Sequence, residues 1–219
     1  MEGRNVTAGA QLAGAGALAF SVLTFAGLTV ANAPGGDYDA ASVAKYVAHG
    51  HAVAVIVVTH LALLGVLGLI YALAYLRDAV GAIPGSRRAG SVIWGAGLAA
   101  AASFAIGWGV VGGQVIAHLE GGKAIVIPAP MTYLISQVGV VFIFGSGAIL
   151  LGFALVVLML SSRGLFPGWL RWLTLLAGVC GIAGLAFFTF FLLMLLLAVV
   201  GVWLLANGTR STAPVASGA

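Results

Sequence analysis

The stretch Ser42–Arg77 reads SVAKYVAHGHAVAVIVVTHLALLGVLGLIYALAYLR and decides the class of fold. It is apolar enough to cross a membrane, yet it contains three of the four histidines, with His60 near its middle. An apolar run of about 18 residues or more is typical of a transmembrane helix. We therefore predict that this segment is a membrane-spanning helix that carries ionisable side chains into the bilayer.

The composition of the whole chain supports a membrane protein. Of the 219 residues, 62% are hydrophobic and 6% are charged, whereas soluble domains have about 25% charged residues. So few charges cannot cover a water-exposed surface, so the bilayer must be the solvent for most of the chain. The net charge of +4 comes from scattered basic residues without a basic run, which argues against nucleic-acid binding. A lone cysteine, Cys180, excludes an intrachain disulfide and a cysteine-rich metal site.

The fold class predicted from the apolar runs is an all-α polytopic membrane bundle with six transmembrane helices. At about 1.5 Å per residue, about 20 residues cross a hydrocarbon core of about 30 Å. The last apolar run, 173–205, is too long for one crossing, so we divide it near Gly184; one long tilted helix is the alternative. We therefore predict a single bundle over 1–206 and a mobile tail over 207–219. The predicted spans are 12–31, 48–76, 90–112, 131–160, 170–186 and 188–206.

The first span has a competing interpretation as a signal peptide. Arg4 precedes the apolar run, and Ala31-Asn32-Ala33 matches a small-residue cleavage pattern. The run is long for the apolar region of a signal peptide, so we favour a retained helix.

Two patterns of small residues predict close contacts between helices, because small side chains let helix backbones approach each other in lipid. Gly9, Ala13 and Ala17 are spaced four apart in the first span. Gly109 and Gly113 have the same spacing in the third span, where they predict a close contact or an unwound helix end.

The basic residues predict the orientation, because cytoplasmic loops of membrane proteins are enriched in Lys and Arg. With six spans and both termini inside, every arginine is cytoplasmic, and Lys45 and Lys123 lie outside. We therefore predict a multi-pass protein of the cell inner (plasma) membrane with cytoplasmic N- and C-termini. The arginines are Arg4, Arg77, Arg87, Arg88, Arg163, Arg171 and Arg210.

The second span carries a polar stripe. Positions eleven apart on a helix differ by about 20° in azimuth, so His49, His60 and Tyr71 share one face, and Asp78 lies on the same side. An ionisable group in the middle of a bilayer is costly, so we expect this stripe to face the bundle interior. His49, His60 and Tyr71, with His118 of the third span, are the candidates for binding a ligand or cofactor.

A second polar group is predicted on the outer side, where the second span begins and the third ends. Gln114 shares a helical face with Ser103, and His118 follows four residues later. This side gathers Asp37, Asp39, His49, His51, His118 and Glu120.

Three interpretations of the outer group stay open. These residues are solvent-exposed loop residues and helix caps, or they form a metal site, or they form a haem site with axial histidines on two helices. The metal candidates are His49, His51, His118 and Glu120, and the haem candidates are His60 or His49 paired with His118.

Two motifs carry a family resemblance. DAASVAKYVAH at 39–49 precedes the second span, and LFPGWLRWL at 165–173 precedes the fifth. Both resemble an uncharacterised group of six-helix integral membrane proteins of high-GC Gram-positive bacteria. The resemblance implies six helices, a short amphipathic lead before the second helix and a proline turn before the fifth. That group has no assigned activity.

Function is predicted mainly by elimination. The sequence contains no Ser-His-Asp or HExxH arrangement. We therefore favour a non-enzymatic membrane protein, either an accessory subunit of other membrane subunits or a binder of a lipophilic small molecule within the bundle. A haem-binding, cytochrome-like electron carrier is one alternative, and a small proton-coupled transporter using His60 and Asp78 is another. The lipid bilayer is an expected partner and nucleic acid is not.

Overall fold

The computed structural model describes residues 2–121, 127–184 and 187–207, and within these ranges it describes all side chains except those of residues 2–7, 49 and 187. All regular secondary structure in these ranges is helical, which confirms the all-α class. The elements are α1 Glu2–Ala31, α2 Ala40–Val47, α3 His49–Gly81, α4 Arg87–Gly121, α5 Ala129–Val141, a π-helix Phe142–Gly147, α6 Ala148–Ser161, α7 Gly168–Ile182 and α8 Phe187–Asn207.

Five helical stretches in the described residues are long and apolar enough to cross a membrane. They are α1, α3, α4, the continuous stretch from α5 through the π-helix to α6, and α8. Helix α7 is apolar but has only 15 residues, a length of about 22 Å against a hydrocarbon core of about 30 Å. The protein is therefore a polytopic membrane bundle of five long apolar helices and one shorter one.

The predicted division of the last apolar run is confirmed. Helix α7 ends at Ile182, a turn follows at Ala183 and Gly184, and α8 begins at Phe187. The turn packs directly against the π-helix and α6, since a Cβ on Gly184 would lie 2.6 Å from both the Phe144 carbonyl oxygen and the Ala148 Cβ. Glycine is needed here because any side chain would collide with that backbone.

Helix α1 packs inside the bundle, against α3 and α8. The predicted small-residue contact is present: Ala13 and Ala17 are buried against Ala72 of α3, with Tyr75 at the edge. A closer crossing lies beside them, where Gly16 faces Gly68 so tightly that a Cβ on Gly68 would lie 2.8 Å from the Gly16 carbonyl oxygen. Small residues thus fix the distance between α1 and α3.

The predicted contact or unwinding at Gly109 and Gly113 is wrong. Both glycines face outward with no described atom within 4 Å of a Cβ, and α4 is continuous through them. The close contacts of α4 use Gly107 and Gly112 instead, where a Cβ would lie 2.6 Å from Ile143 and 2.7 Å from Thr59. The positions of α3 and the π-helix, not the spacing of the glycines, decide which face of α4 is buried.

The helix ends gather at two ends of the bundle. The end that we call the histidine end contains residues 32–39, α2, the start of α3, the end of α4 and the start of α5. The opposite, arginine end carries Arg77, whose guanidinium lies 5.2 Å from the centre of the Trp94 ring. Trp169 and Trp172 at that end are 52% and 66% exposed, as expected for tryptophans at the membrane–water interface.

Candidate functional site

The polar stripe predicted on α3 faces outward, not into the bundle. His60 is exposed, Tyr71 is 45% exposed, and the Asp78 carboxylate pairs with Arg77 at 2.8 Å on the surface. The opposite face of α3 is small and mostly apolar and packs against α1 and α4, so the stripe is left outside. The buried residues of that face are the polar Thr59 and the apolar Ala52, Val55, Ala62, Val66, Leu69, Ala72, Leu73, Leu76 and Val80.

His60 lines a cavity of about 480 Å³ between α3 and α4 on the outer surface of the bundle. Its Nδ1–H donates a 2.8 Å hydrogen bond to the Ile56 carbonyl oxygen, which lowers the cost of placing the ring in lipid. Tyr71, the next member of the predicted stripe, does not line this cavity. The remaining walls are apolar, formed by Leu63, Leu64, Val66, Leu67, Ile70, Leu98, Ala101, Ala102 and Ala105.

His118 is engaged by neighbouring protein groups. Its Nδ1–H donates to the Gln114 carbonyl oxygen at 2.8 Å, and its Nε2 lies 3.3 Å from the Thr132 hydroxyl. His60 lies beside Ala105 of α4, and His118 is thirteen residues further along the same helix, about 20 Å away. One haem iron cannot bond both His60 and His118, so that pairing is wrong. The side chain of His49, the other haem candidate, lies outside the described residues.

The metal candidates do not meet in the part of the chain that the structure describes. In that part, no group of three His, Cys, Asp or Glu side chains could hold a metal ion. His51 instead donates from Nε2 to the Ala31 carbonyl oxygen at 2.9 Å and packs against the Tyr46 ring. Glu120 is exposed, and His49 is again outside the described side chains. The bonds of His51 and His118 connect helix ends to one another.

A buried polar network joins α2, α4 and α5. Tyr46 is 1% exposed, and its hydroxyl donates to the Val111 carbonyl oxygen at 2.8 Å. The Gln114 amide donates to the Tyr46 hydroxyl at 3.3 Å and to the Ser136 hydroxyl at 2.7 Å. Burial raises the pKa of Tyr46 to about 12, with the Gln114 hydrogen bond acting in the opposite direction. Gln114 and Ser103, which the sequence places on one face of α4, are both buried.

The loop 32–39 folds over the histidine end and is held at several points. Asn32 has φ of 43° and its N–H bonds the Leu28 carbonyl oxygen at 3.1 Å, a left-handed helix cap that asparagine tolerates. The Gln137 amide donates to the Pro34 carbonyl oxygen at 2.7 Å, and the Tyr133 hydroxyl donates to the Gly36 carbonyl oxygen.

Asp39 ends this loop and caps α2. Its carboxylate accepts hydrogen bonds from the backbone N–H groups of Ala41 and Ser42 and from the Ser42 hydroxyl. The Ser42 hydroxyl bond, followed by the two backbone bonds, holds the pKa of Asp39 below its usual value. With Val43 and Tyr46 buried and Ser42 and Lys45 exposed, α2 is an amphipathic helix that leads into α3.

A cavity of about 620 Å³ lies under this loop, between α1, α5, the π-helix and α8. We call it the α1–α5 groove. Ligand sites of proteins have about 300–1,000 Å³ and combine apolar walls with a few polar groups. The deeper walls are Leu28, Val140, Val141, Phe144 and Phe191, and the mouth is formed by Thr29, Asn32, Ala33, Gly35, Gly36 and Gln137.

The π-helix shapes the floor of the α1–α5 groove. It adds a residue to the turn that carries Phe144, whose ring packs 4.3 Å from the Phe190 ring and 6.4 Å from the Phe191 ring. Such segments inside α-helices occur frequently at functional sites. The sequence pattern predicted one regular span here, because FIFGSG at 142–147 is as apolar as its neighbours and carries no change of period.

A second cavity, of about 230 Å³ and with polar walls, adjoins the groove. We call it the polar annex. Asn32, Ala33 and Gly35 line both cavities, so the two are neighbours along the same loop. The other walls of the annex are Pro34, Ser42, Lys45, Tyr46 and His51. The predicted site residues His60, Tyr71 and His118 line neither cavity, and the groove itself was not predicted.

Comparisons with protein-family models, with curated proteins and with solved structures found no match. The resemblance to six-helix proteins of high-GC Gram-positive bacteria therefore stays a prediction. The assignment of the site rests on its geometry.

Proposed function

We propose that this multi-pass membrane protein binds a lipophilic ligand in the α1–α5 groove and does not catalyse a reaction on it. One observation carries the proposal: the groove is apolar where it runs along the membrane-spanning helices and polar where it meets the loop 32–36. A ligand with an apolar body and a polar end matches this division.

The ligand enters from the bilayer. Val141 forms one wall of the groove and is 55% exposed on the outer surface of α5, a surface that faces lipid in a polytopic bundle. A molecule dissolved in the bilayer therefore reaches the groove without leaving the apolar phase. Its polar end then meets Asn32 and Gln137 at the loop, where hydrogen-bonding groups fix its orientation.

We further infer that the mouth of the groove lies on the outer side of the plasma membrane. Among the described residues, Arg77, Arg87, Arg88, Arg163 and Arg171 all belong to the arginine end. Cytoplasmic loops are enriched in basic residues, so the arginine end is cytoplasmic and the histidine end is outside. Arg4, Lys123 and Arg210, which also entered the predicted orientation, have side chains outside the described residues.

The alternative functions have less support from the geometry. Proton-coupled transport required His60 and Asp78 in the bundle interior, and both face outward. The haem carrier required His118 with His60 or His49, and His118 is bonded to Gln114 and approached by Thr132. A role as an accessory subunit is compatible with a bound lipid but has no observation of its own.

Photolabelling tests the proposal. The purified protein in lipid nanodiscs is irradiated with a stearic acid that carries a diazirine in its chain, and labelled residues are mapped by mass spectrometry. We expect labels at residues 28–36 and 137–144 in the wild type. Val141→Trp fills the groove, so its label there should fall to background.

Val138→Trp is the matched control, because Val138 lies on the same helix, is 51% exposed and does not line the groove. It should label as the wild type does. Equal labelling of the two variants, or labels spread evenly over the lipid-facing surface, would contradict the proposal.

A further inference from the structure

We infer that the ligand is an anionic amphiphile whose carboxylate or phosphate head binds in the polar annex at Lys45. This inference rests on the proposed function, because it places the apolar body of the same molecule in the α1–α5 groove. It goes further in naming the chemistry of the head group and the residue that selects it.

The charges around the two cavities carry the inference. Lys45 is the one charged residue among the described residues that lines either cavity. Its ammonium group has no carboxylate partner there, since the ion pair found in that part of the chain joins Arg77 to Asp78. A cation beside an apolar groove, without a partner of its own, is suited to an anionic head group.

The carboxylate of Asp39, which caps α2, is already bonded within the protein. The Asp39 carboxylate accepts the N–H groups of Ala41 and Ser42 and the Ser42 hydroxyl, the last at 2.6 Å. Asp37 and Asp39 line neither cavity, and among the described residues neither forms an ion pair with Lys45. A zwitterionic or cationic head therefore finds no carboxylate on the walls of the annex.

Most side-chain hydrogen-bond donors on the walls of the annex already bond to other protein groups. The Tyr46 hydroxyl donates to Val111, His51 donates to Ala31, and the Ser42 hydroxyl donates to Asp39. Lys45 and the side-chain amide of Asn32 remain to donate to the ligand. Asn32 also lines the groove, so it stands where the apolar body of the ligand meets its head.

Two sources supply such an amphiphile: a free long-chain carboxylic acid and an anionic phospholipid. Native mass spectrometry of the full chain in detergent measures the affinity for oleic acid and for methyl oleate, which has the same chain without the charge. Dioleoyl phosphatidylglycerol and dioleoyl phosphatidylcholine are compared in the same way. Preference for oleic acid over the methyl ester, or for phosphatidylglycerol over phosphatidylcholine, identifies the source.

Lys45→Gln and Lys45→Arg test the residue. Loss of one charge-assisted hydrogen bond should weaken binding of the preferred anion about tenfold or more. Lys45→Gln should therefore bind acid and methyl ester alike, while Lys45→Arg should keep the preference. The affinity for methyl oleate should change much less than the affinity for oleic acid in Lys45→Gln, because the ester carries no charge.

The outcomes separate this inference from the proposed function. If Val141→Trp abolishes binding but Lys45→Gln keeps the full preference for the anion, the groove is right and the head-group assignment is wrong. If the wild type binds anionic and neutral probes equally well, the inference is also overturned. If Val141→Trp binds every probe as the wild type does, the proposed function itself fails.

Discussion

The side-chain amide of Gln137 on α5 donates a 2.7 Å hydrogen bond to the carbonyl oxygen of Pro34, 103 residues away in the sequence. This bond ties the loop 32–36 to α5 across the mouth of the α1–α5 groove, since Gln137 and the neighbouring Gly35 both line it. Gln137→Leu removes the bond at a net loss of about 1 kcal/mol.

We expect the loop to open more often in Gln137→Leu and a bound ligand to dissociate faster. Hydrogen exchange of the amides at 33–38 and the ligand dissociation rate measure the two effects. Tyr133 still holds Gly36, so the overall fold and melting temperature should change little. If hydrogen exchange and ligand dissociation in Gln137→Leu are as in the wild type, the bond does not control opening of the groove.

The crossing of α1 and α3 predicts a large effect of a very small substitution. A Cβ on Gly68 would lie 2.8 Å from the Gly16 carbonyl oxygen and 2.9 Å from the Gly16 Cα, so the helices must separate to admit it. Overpacking of this kind costs about 1–3 kcal/mol. Gly68→Ala should therefore lower the free energy of unfolding by that amount, measured by denaturation in mixed micelles.

Gly109→Ala is the matched control for the crossing. No described atom lies within 4 Å of a Cβ at Gly109, and alanine favours a helix over glycine by about 1 kcal/mol. This variant should be as stable as the wild type or slightly more so. Equal destabilisation by both substitutions would contradict the account of the crossing.

From the burial of the Tyr46 phenol we predict a loss of stability in alkaline solution. Burial raises its pKa from 10.0 to about 12 in the folded protein, so the folded state holds the phenolic proton more tightly than the unfolded state does. The contribution is fully present below about pH 10 and is lost as the pH rises toward 12. Between about pH 9 and about pH 11 the free energy of unfolding should fall by roughly 1.4 kcal/mol more in the wild type than in Tyr46→Phe. Parallel pH profiles of the two proteins would contradict the burial of the neutral phenol.

From the helix cap formed by Asp39 we predict a loss of stability in acidic solution. The pKa of Asp39 is lowered in the folded state, with the Ser42 hydroxyl as the first cause. Its contribution to stability is therefore present above the usual aspartate pKa of 3.8 and is lost as the pH falls through the lowered pKa. Asp39→Ala should speed hydrogen exchange at the Ala41 and Ser42 amides at neutral pH. Asp39→Asn should restore much of the protection, because asparagine also caps helices. Unchanged exchange in Asp39→Ala would mean that the cap does not hold α2.

His60→Leu tests whether the cavity between α3 and α4, and not the α1–α5 groove, holds the ligand. His60 lines the cavity between α3 and α4 and shares no lining residue with the α1–α5 groove. The variant should keep both the fold and the ligand in the groove, as judged by thermal stability and by the retained mass. Loss of the ligand in His60→Leu would move the site to α3 and α4.

The class of fold and the helix division could be predicted because they depend on composition and length. The lengths of the apolar runs, including the excess length of 173–205, were read against the thickness of a bilayer. The turn at Pro167 follows from the fixed φ and missing N–H of proline. The packing of Ala13 and Ala17 followed from their four-residue spacing. These features depend on one helix at a time, so a sequence pattern is enough to find them.

The direction of the α3 stripe and the position of the groove depend on how helices face each other. His60 was expected inside because an ionisable side chain in lipid is costly, but its Nδ1–H is bonded to the Ile56 carbonyl oxygen of its own helix. The small opposite face of α3 then packs against α1 and α4. The groove is bounded by α1, by Phe144 of the π-helix and by Phe191 of α8, which are far apart in sequence and share no motif.

The most direct measurement is native mass spectrometry of the wild type, Val141→Trp and Val138→Trp, each extracted from membranes in a mild detergent. The account predicts a retained mass of an anionic amphiphile on the wild type and on Val138→Trp, and its absence from Val141→Trp. A bare protein in all three samples, or the same retained mass on all three, would contradict the claim that the α1–α5 groove is a ligand site.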